Sequence, residues 1–344
     1  MLMLITCLAT TSQVTVDPLT GIVTPSFSAE QRFHEEAATP RYRISEMEYV
    51  DGASSTVLRH PYTILHAGSN ELYVASFTLN HVIRLRWLTG KRAQYKVFVS
   101  GKELDGPVGM ALQHDALYVA SFTNDVVLRV NASSGELLGR IGNEDTLDCP
   151  EGIAIGPDGL LYVTSFLLPY LSIFEPHSGK YLGKFGSSSG AIVLPSAPHS
   201  KVPGPVLRGA EDVTFDLAGD VHVTAYYSNA VFKFNGTTGD LVLAYGQGLL
   251  HGPVGCTCDR SSGDVFVSSY KDNTVLRFTR LGLFVGVAAG APVNEARGRR
   301  AIASPTGVDF AEDGTLWVAS YATGAVTRFN NSHSGGRTFW RVTD

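Results

Sequence analysis

The sequence is sparing in most features that reveal a function at a glance. Its 344 residues include four cysteines, Cys7, Cys149, Cys256 and Cys258, which make no disulfide framework. Cys256 and Cys258 fall on one face of one strand. They read either as metal ligands or as small buried apolar side chains. The net charge is −5, so no basic excess points to a nucleic-acid partner, and none is expected. No transmembrane span is expected either. The apolar opening "MLMLITCLATTSQ" is too short to cross a bilayer. It also lacks the basic start of an ordinary signal peptide. No segment carries an apolar period of 3.6 residues, which excludes an α/β reading.

Familiar catalytic motifs fail on context. "GSSSG" (Gly186–Gly190) fits G-x-S-x-G, but no helix follows it. "GQG" at Gly246–Gly248 lacks both the third glycine and the βαβ setting of a dinucleotide site. "HEEAA" from His34 lacks the second histidine of a zinc protease.

What the chain does have is one strand written six times. "LYVASF" starts at Leu72 and again at Leu117. Relatives follow as "LYVTSF" from Leu161, "VHVTAY" from Val221, "VFVSSY" from Val265 and "LWVASY" from Leu316. The steps between these starts are 45, 44, 60, 44 and 51 residues. A base period of about 44 with two insertions accounts for them. Each copy opens on a segment such as "PEGIAIGPDG" (Pro150–Gly159), which ends in Asp/Gly turn chemistry. The alternating strand follows, then a third such as "VVLRV". A turn such as "NASSG" (Asn131–Gly135) leads to a fourth.

Four antiparallel strands of this size cannot bury both faces alone. Stacked in a ring they can, and a ring leaves only short edges. The expected fold is therefore all-β: a β-propeller of six four-stranded blades starting near Arg59, Asp105, Cys149, Gly209, His251 and Ser304. The glycine content, 36 residues, suits its many turns. "RTFWRV" (Arg337–Val342) would be the last strand of the last blade. The propeller domain spans 59–344 and is expected to be a monomer.

The N-terminal segment, 1–58, is read in two ways. "LMLITC…QVTVDPLTGIV" has the form of the second to fourth strands of a copy, which would add a partial seventh blade. The alternative is a targeting segment spanning Met1–Gln13. Residues 28–58 match no copy and read as a linker or strap. Asn-x-Ser/Thr sequons at Asn131, Asn235 and Asn330 hint at secretion. All three occupy one repeat position, where asparagine is ordinary turn chemistry. The compartment, extracellular or cytoplasmic, stays open.

"GPVGMALQHDALYVASFTNDVVLRV" and "CPEGIAIGPDGLLYVTSF" resemble NHL repeats and the gluconolactonase/SMP-30-like six-bladed propellers. The resemblance covers about Arg59 to Val342. It implies the fold. For function it implies only a range, because such propellers serve as binding modules, lactonases and lyases alike. NHL repeats usually place Asp near the end of the second strand. Here Ser76, Ser121, Ser165, Ala225, Ser269 and Ser320 stand there. No RING or B-box Cys/His pattern accompanies them.

In a propeller the first strand of each blade lines the channel, and its N-terminal end opens on the face that usually binds ligands. The residue after each lead proline then points near the mouth: Tyr62, Val108, Glu151, Glu211, Val254 and Thr306. The resemblance to gluconolactonase-like propellers implies a metal role for Glu151 and Glu211 alone. The cation would be calcium or zinc. Val108 and Val254 cannot supply the further ligands of that pattern. His251, two residues before Pro253, is a candidate general base. The two insertions, Ser187–Gly209 and Ala289–Ser304, carry His199, Lys201, Arg208, Arg297, Arg299 and Arg300. They read as a basic rim for an anionic or polyol ligand, or as solvated loops. Arg84, Arg129, Lys233, Arg277 and Arg328 share one third-strand position, which argues for bridging between blades. The leading expectation is a binding module that recognises a protein, glycan or small molecule at the mouth, with Tyr62, Thr306, Arg208 and Arg297 as ligand contacts. The alternative is a metal-dependent lactonase, esterase or lyase centred on Glu151 and Glu211.

Overall fold

The computed structural model describes residues 13–16, 23–26, 57–68, 70–86, 94–186, 207–290, 293–294, 299–300 and 302–329. Six antiparallel meanders dominate them. Their innermost strands are Pro61–His66, Pro107–Gln113, Pro150–Ile155, Ala210–Phe215, Pro253–Cys258 and Pro305–Phe310, here blades 1 to 6. Each inner strand lies beside the next, and the last lies beside the first. The ring therefore closes on six, as a six-bladed β-propeller. Every blade begins within two residues of its expected start. Three strands of blade 6 are described; "RTFWRV" lies outside the described residues.

Strands do occur in the N-terminal segment, but not as a place in the ring. Gln13–Val16 pairs with Val23–Ser26, and the latter lies against Leu241–Tyr245, the outer strand of blade 4. With six inner strands touching in a closed circle, no seventh position remains for them. Residues 1–12 lie outside the described set, as does nearly all of 28–58.

The alternation of each strand buries both faces of each blade. The apolar side chains gather in six clusters, one per interface between neighbouring blades. Between blades 3 and 4, for example, Tyr162, Leu171 and Phe185 meet Val213, Val223 and Phe232. A single blade would leave half of this surface wet, so the blades stabilise one another by burial.

The second-strand serines hold the lead into each inner strand. Ser76 Oγ accepts from the Arg59 N–H and donates to the Arg59 carbonyl. Ser121 does the same at Asp105. Ser165, Ser269 and Ser320 accept from Asp148, His251 and Ala303. This second-strand position is thus a structural tether in five of the six blades.

The residue before each inner strand is left-handed: His60, Gly106, Cys149, Gly209, Gly252 and Ser304, with φ between 49 and 65°. A turn side chain from the preceding blade caps four of them. Asn80 Oδ1 accepts from Gly106, Asp125 from Cys149, Asn229 from Gly252 and Asn273 from Ser304. At the other two junctions, blade 3 to 4 and blade 6 to 1, the capping position holds Pro169 and Gly324, which cannot make this bond.

The third-strand cations divide. Arg84 donates to the Ala132 carbonyl of the next blade, Arg129 to His177 and Lys233 to Arg280. Arg277 and Arg328 instead pair within their own blades, with Asp264 and Asp313. The sequons at Asn131 and Asn235 prove to be turn formers. Each side-chain oxygen accepts from the two N–H groups that follow, Ser133 and Ser134 in one case, Thr237 and Thr238 in the other.

Candidate functional site at the channel mouth

All six inner strands carry a β-bulge at their N-terminal end. In blade 3, Pro150 pairs with Ser165 and Ile153 with Val163, so Glu151 and Gly152 together oppose Thr164. The same shift recurs in the other five blades. A bulge takes a residue out of the ladder and re-aims its side chain. Here it re-aims Tyr62, Val108, Glu151, Glu211, Val254 and Thr306, the six mouth positions. In blades 3 to 5 a hydroxyl satisfies the freed backbone. Thr164 Oγ1 accepts from the Gly152 N–H and donates to the Glu211 carbonyl at 2.7 Å. Thr224 and Ser268 bridge to Val254 and Thr306 in the same way.

Glycine at the next position lets the strands converge. A Cβ on Gly109 would stand 2.0 Å from the Glu151 carbonyl oxygen, and one on Gly255 would stand 2.3 Å from that of Thr306. Blades 1 and 4 break the pattern, with Thr63 and Asp212. Asp212 Oδ2 accepts from the Cys256 N–H of blade 5 and its Oδ1 from the Val213 N–H.

Glu151 and Glu211 are both buried, each 5% exposed. Tyr62 reaches from blade 1 to blade 4, straight across the ring, and donates its phenol proton to Glu211 Oε2 at 2.8 Å. Glu151 stands beside the same phenol, yet its Oε2 has no hydrogen-bond partner. A buried carboxylate oxygen without a donor is costly. Burial, then the charge of Glu211, pushes the Glu151 carboxyl well above the ordinary carboxylate range. Burial raises Glu211 to about 8, with Asp212 adding to it and the Tyr62 bond opposing it. Asp212 rises to about 7, again chiefly by burial. Burial and the two carboxylates together push the Tyr62 phenol well above its usual value. Close carboxylates in a dry site share a proton or a cation.

Above this pair stands a collar of aromatic rings. The residue after the tethering serine position is aromatic in every blade: Phe77, Phe122, Phe166, Tyr226, Tyr270 and Tyr321. All six are half-buried. Ring centroids run 6.2 Å from Tyr226 to Tyr270, 6.3 Å on to Tyr321, 6.4 Å on to Phe77 and 6.2 Å on to Phe122. Tyr62 sits 5.8 Å from Phe77 and 6.5 Å from Tyr321, so its ring floors the collar. The left-handed lead glycines keep these rings close in. A Cβ on Gly252, where φ is +63°, would meet the Tyr226 ring at 2.7 Å.

The collar escaped the reading of the sequence, although the signal lay in the sixth letter of "LYVASF" and its relatives. Of the expected ligand contacts, Tyr62 lies at the carboxylate pair. Thr306 is buried and gives its hydroxyl to the Pro61 carbonyl at 3.0 Å, a bond that closes the ring. Arg208 is exposed at the start of blade 4. Arg297, His199 and Lys201 lie outside the described residues, and of Arg299 and Arg300 only the backbone is described. His251 pairs with Asp272 at 2.9 Å on the rim of blade 5, its side chain 52% exposed. No described contact joins it to Glu151 or Glu211. Cys256 is buried, and its thiol lies 3.8 Å from the His222 carbonyl.

No protein-family model matches the chain, and no curated protein does. Solved structures share the fold at low identity. A streptogramin B lyase aligns over 83% of this chain and 97% of its own, with 15% identity and a TM-score of 0.57. A virginiamycin B lyase from Staphylococcus aureus aligns over 83% and 99%, with 13% identity and a TM-score of 0.54. An auxiliary nutrient binding protein from Bacteroides ovatus aligns over 79% and 69%, with 13% identity and a TM-score of 0.57.

Proposed function

We propose that this propeller is a binding module whose ligand enters the aromatic collar and reaches the Glu151–Glu211 pair. One observation carries the reading: a buried carboxylate oxygen, Glu151 Oε2, lacks a partner beside Tyr62, whose ring packs on the half-buried aromatic side chains of the collar. An apolar rim with a few convergent polar groups is the usual make-up of a ligand site. Similarly folded proteins include a nutrient binding protein, which agrees with such a role.

A metal-dependent lactonase, esterase or lyase is the second reading, favoured by the paired carboxylates and by the lyases that share the fold. The donor set fits it less well. Calcium takes six to eight oxygens. The mouth offers two carboxylates and the Tyr62 phenol. The Thr306 hydroxyl and both Asp212 oxygens are already engaged, and Val108 and Val254 offer nothing.

Ligand-observed NMR with a fragment library tests the binding reading. Hits on the parent should be lost in Glu151→Gln and in Tyr321→Leu while both variants keep the parent's circular dichroism. Hits that survive both substitutions would place the site elsewhere. Calcium or zinc separates the readings. A metal-induced rise in melting temperature that Glu151→Gln abolishes would favour the enzyme.

A further inference from the structure

We infer that the ligand carries an organic ammonium group, which the collar rings face and the Glu151–Glu211 pair receives. This rests on the reading that the mouth binds a ligand, and it names the chemistry.

Charge is the first argument. Glu151, Glu211, Asp212, Tyr62, Tyr226 and Cys149 are acids gathered there, and the two described bases at the collar, Lys271 over Tyr226 and His60 stacked on Tyr321, lie on its rings and not on the glutamates. Among the described ion pairs, no Lys, Arg or His reaches either glutamate. An anionic ligand would meet no described cation paired with either glutamate.

Hydrogen bonding is the second. Once the pair gives up its proton, a carboxylate only accepts. Tyr62 has one proton and gives it to Glu211, so Glu151 Oε2 waits for a donor. A primary or secondary ammonium brings two or three N–H groups on one charged atom and can serve both glutamates.

The rings are the third. Aromatic faces attract organic cations. The chain already shows this chemistry at its own rim, where the Lys271 ammonium lies 4.7 Å from the centre of the Tyr226 ring. A metal ion gains oxygens from carboxylates but none from a phenylalanine face. A neutral ligand could stack on the rings yet would leave the pair uncompensated. The collar and the pair together suit a cation with an apolar body.

Entry of the ammonium would displace a proton from the pair. Affinity should therefore increase with pH until the amine itself loses its charge. The same reading makes Tyr62 a stand-in, its hydroxyl occupying on Glu211 the place of a ligand N–H.

Isothermal titration of the full chain with benzylamine, benzyl alcohol and calcium chloride tests this at pH 7.5. Benzylamine should bind at least tenfold more tightly than benzyl alcohol, which has nearly its shape without its charge. That comparison needs no variant. Glu151→Gln and Glu211→Gln, each nearly isosteric, should reduce benzylamine binding at least tenfold, and Tyr226→Leu should weaken it too. Equal affinity for amine and alcohol would overturn the ammonium assignment and leave a binding mouth. Calcium binding with benzylamine inert would overturn it in favour of a metal site. If none of the three binds, the mouth reading falls with it.

Discussion

Replacing Glu211 with Gln should make the protein more stable at alkaline pH. Gln keeps the shape and can still accept from the Tyr62 hydroxyl, but it cannot ionise. The folded parent holds Glu211 at a pKa of about 8 against an ordinary 4.5. Every tenfold tightening of proton binding corresponds to about 1.4 kcal/mol. The unfolded chain gives up this proton above its ordinary pKa, whereas the folded chain keeps it. Folded protein thus binds more protons between pH 4.5 and 8, and stability falls as pH increases through that window. The loss is complete above about pH 8 and amounts to at most about 5 kcal/mol. Glu211→Gln lacks it. Urea denaturation of parent and variant at pH 5 and pH 8.5 reads the difference directly. The two should be close at pH 5, and the variant should lead by several kcal/mol at pH 8.5. Parallel pH profiles, or a variant weaker at both values, would refute a buried, proton-sharing pair.

Tyr62→Phe removes the only described donor to Glu211, so the fall in stability should start at the same pH and continue beyond pH 8; the denaturation series extended to higher pH measures it. Gly109→Ala forces a Cβ against the Glu151 carbonyl and should lower stability by more than about 2 kcal/mol, seen as a lower urea midpoint. Thr164→Val leaves the Gly152 N–H and the Glu211 carbonyl without their shared hydroxyl. It should cost about 1–3 kcal/mol while keeping the near-ultraviolet spectrum of a packed fold.

The blades were legible because each repeats a local grammar: a lead proline, an alternating strand, an Asp/Gly or Asn turn. Residues Glu151 and Glu211 could be placed at the mouth for the same reason, since position in the repeat determines position in the ring. What stayed hidden depends on closure. That Tyr62 crosses from blade 1 to blade 4 follows from no local pattern. Neither does the bulge that turns six side chains toward the axis, because it needs the pairing register. The collar residues were read as strand ends, since a Phe or Tyr after a strand is ordinary until five of them meet in a row. Thr306 looked like a ligand contact because its place matched Glu151, but the last junction of the ring uses its hydroxyl.

The uneven capping of the left-handed residues has a mechanical consequence. Side-chain stitches join blades 1, 2 and 3 to one another and blades 4, 5 and 6 to one another. The two missing caps lie opposite each other, so the caps fall into two three-blade groups. One uncapped seam runs between Glu151 and Glu211, bridged instead by the Thr164 hydroxyl on the Glu211 carbonyl. The other runs between Tyr321 and Tyr62, bridged instead by the Thr306 hydroxyl on the Pro61 carbonyl and by His66 with Asp309. Tyr62, bonded to Glu211, is a strut thrown from one half to the other across the opening. Any molecule that takes its place on Glu211 releases that strut. Occupation of the mouth and the Tyr62 link between the two halves of the ring are therefore one event seen from two sides.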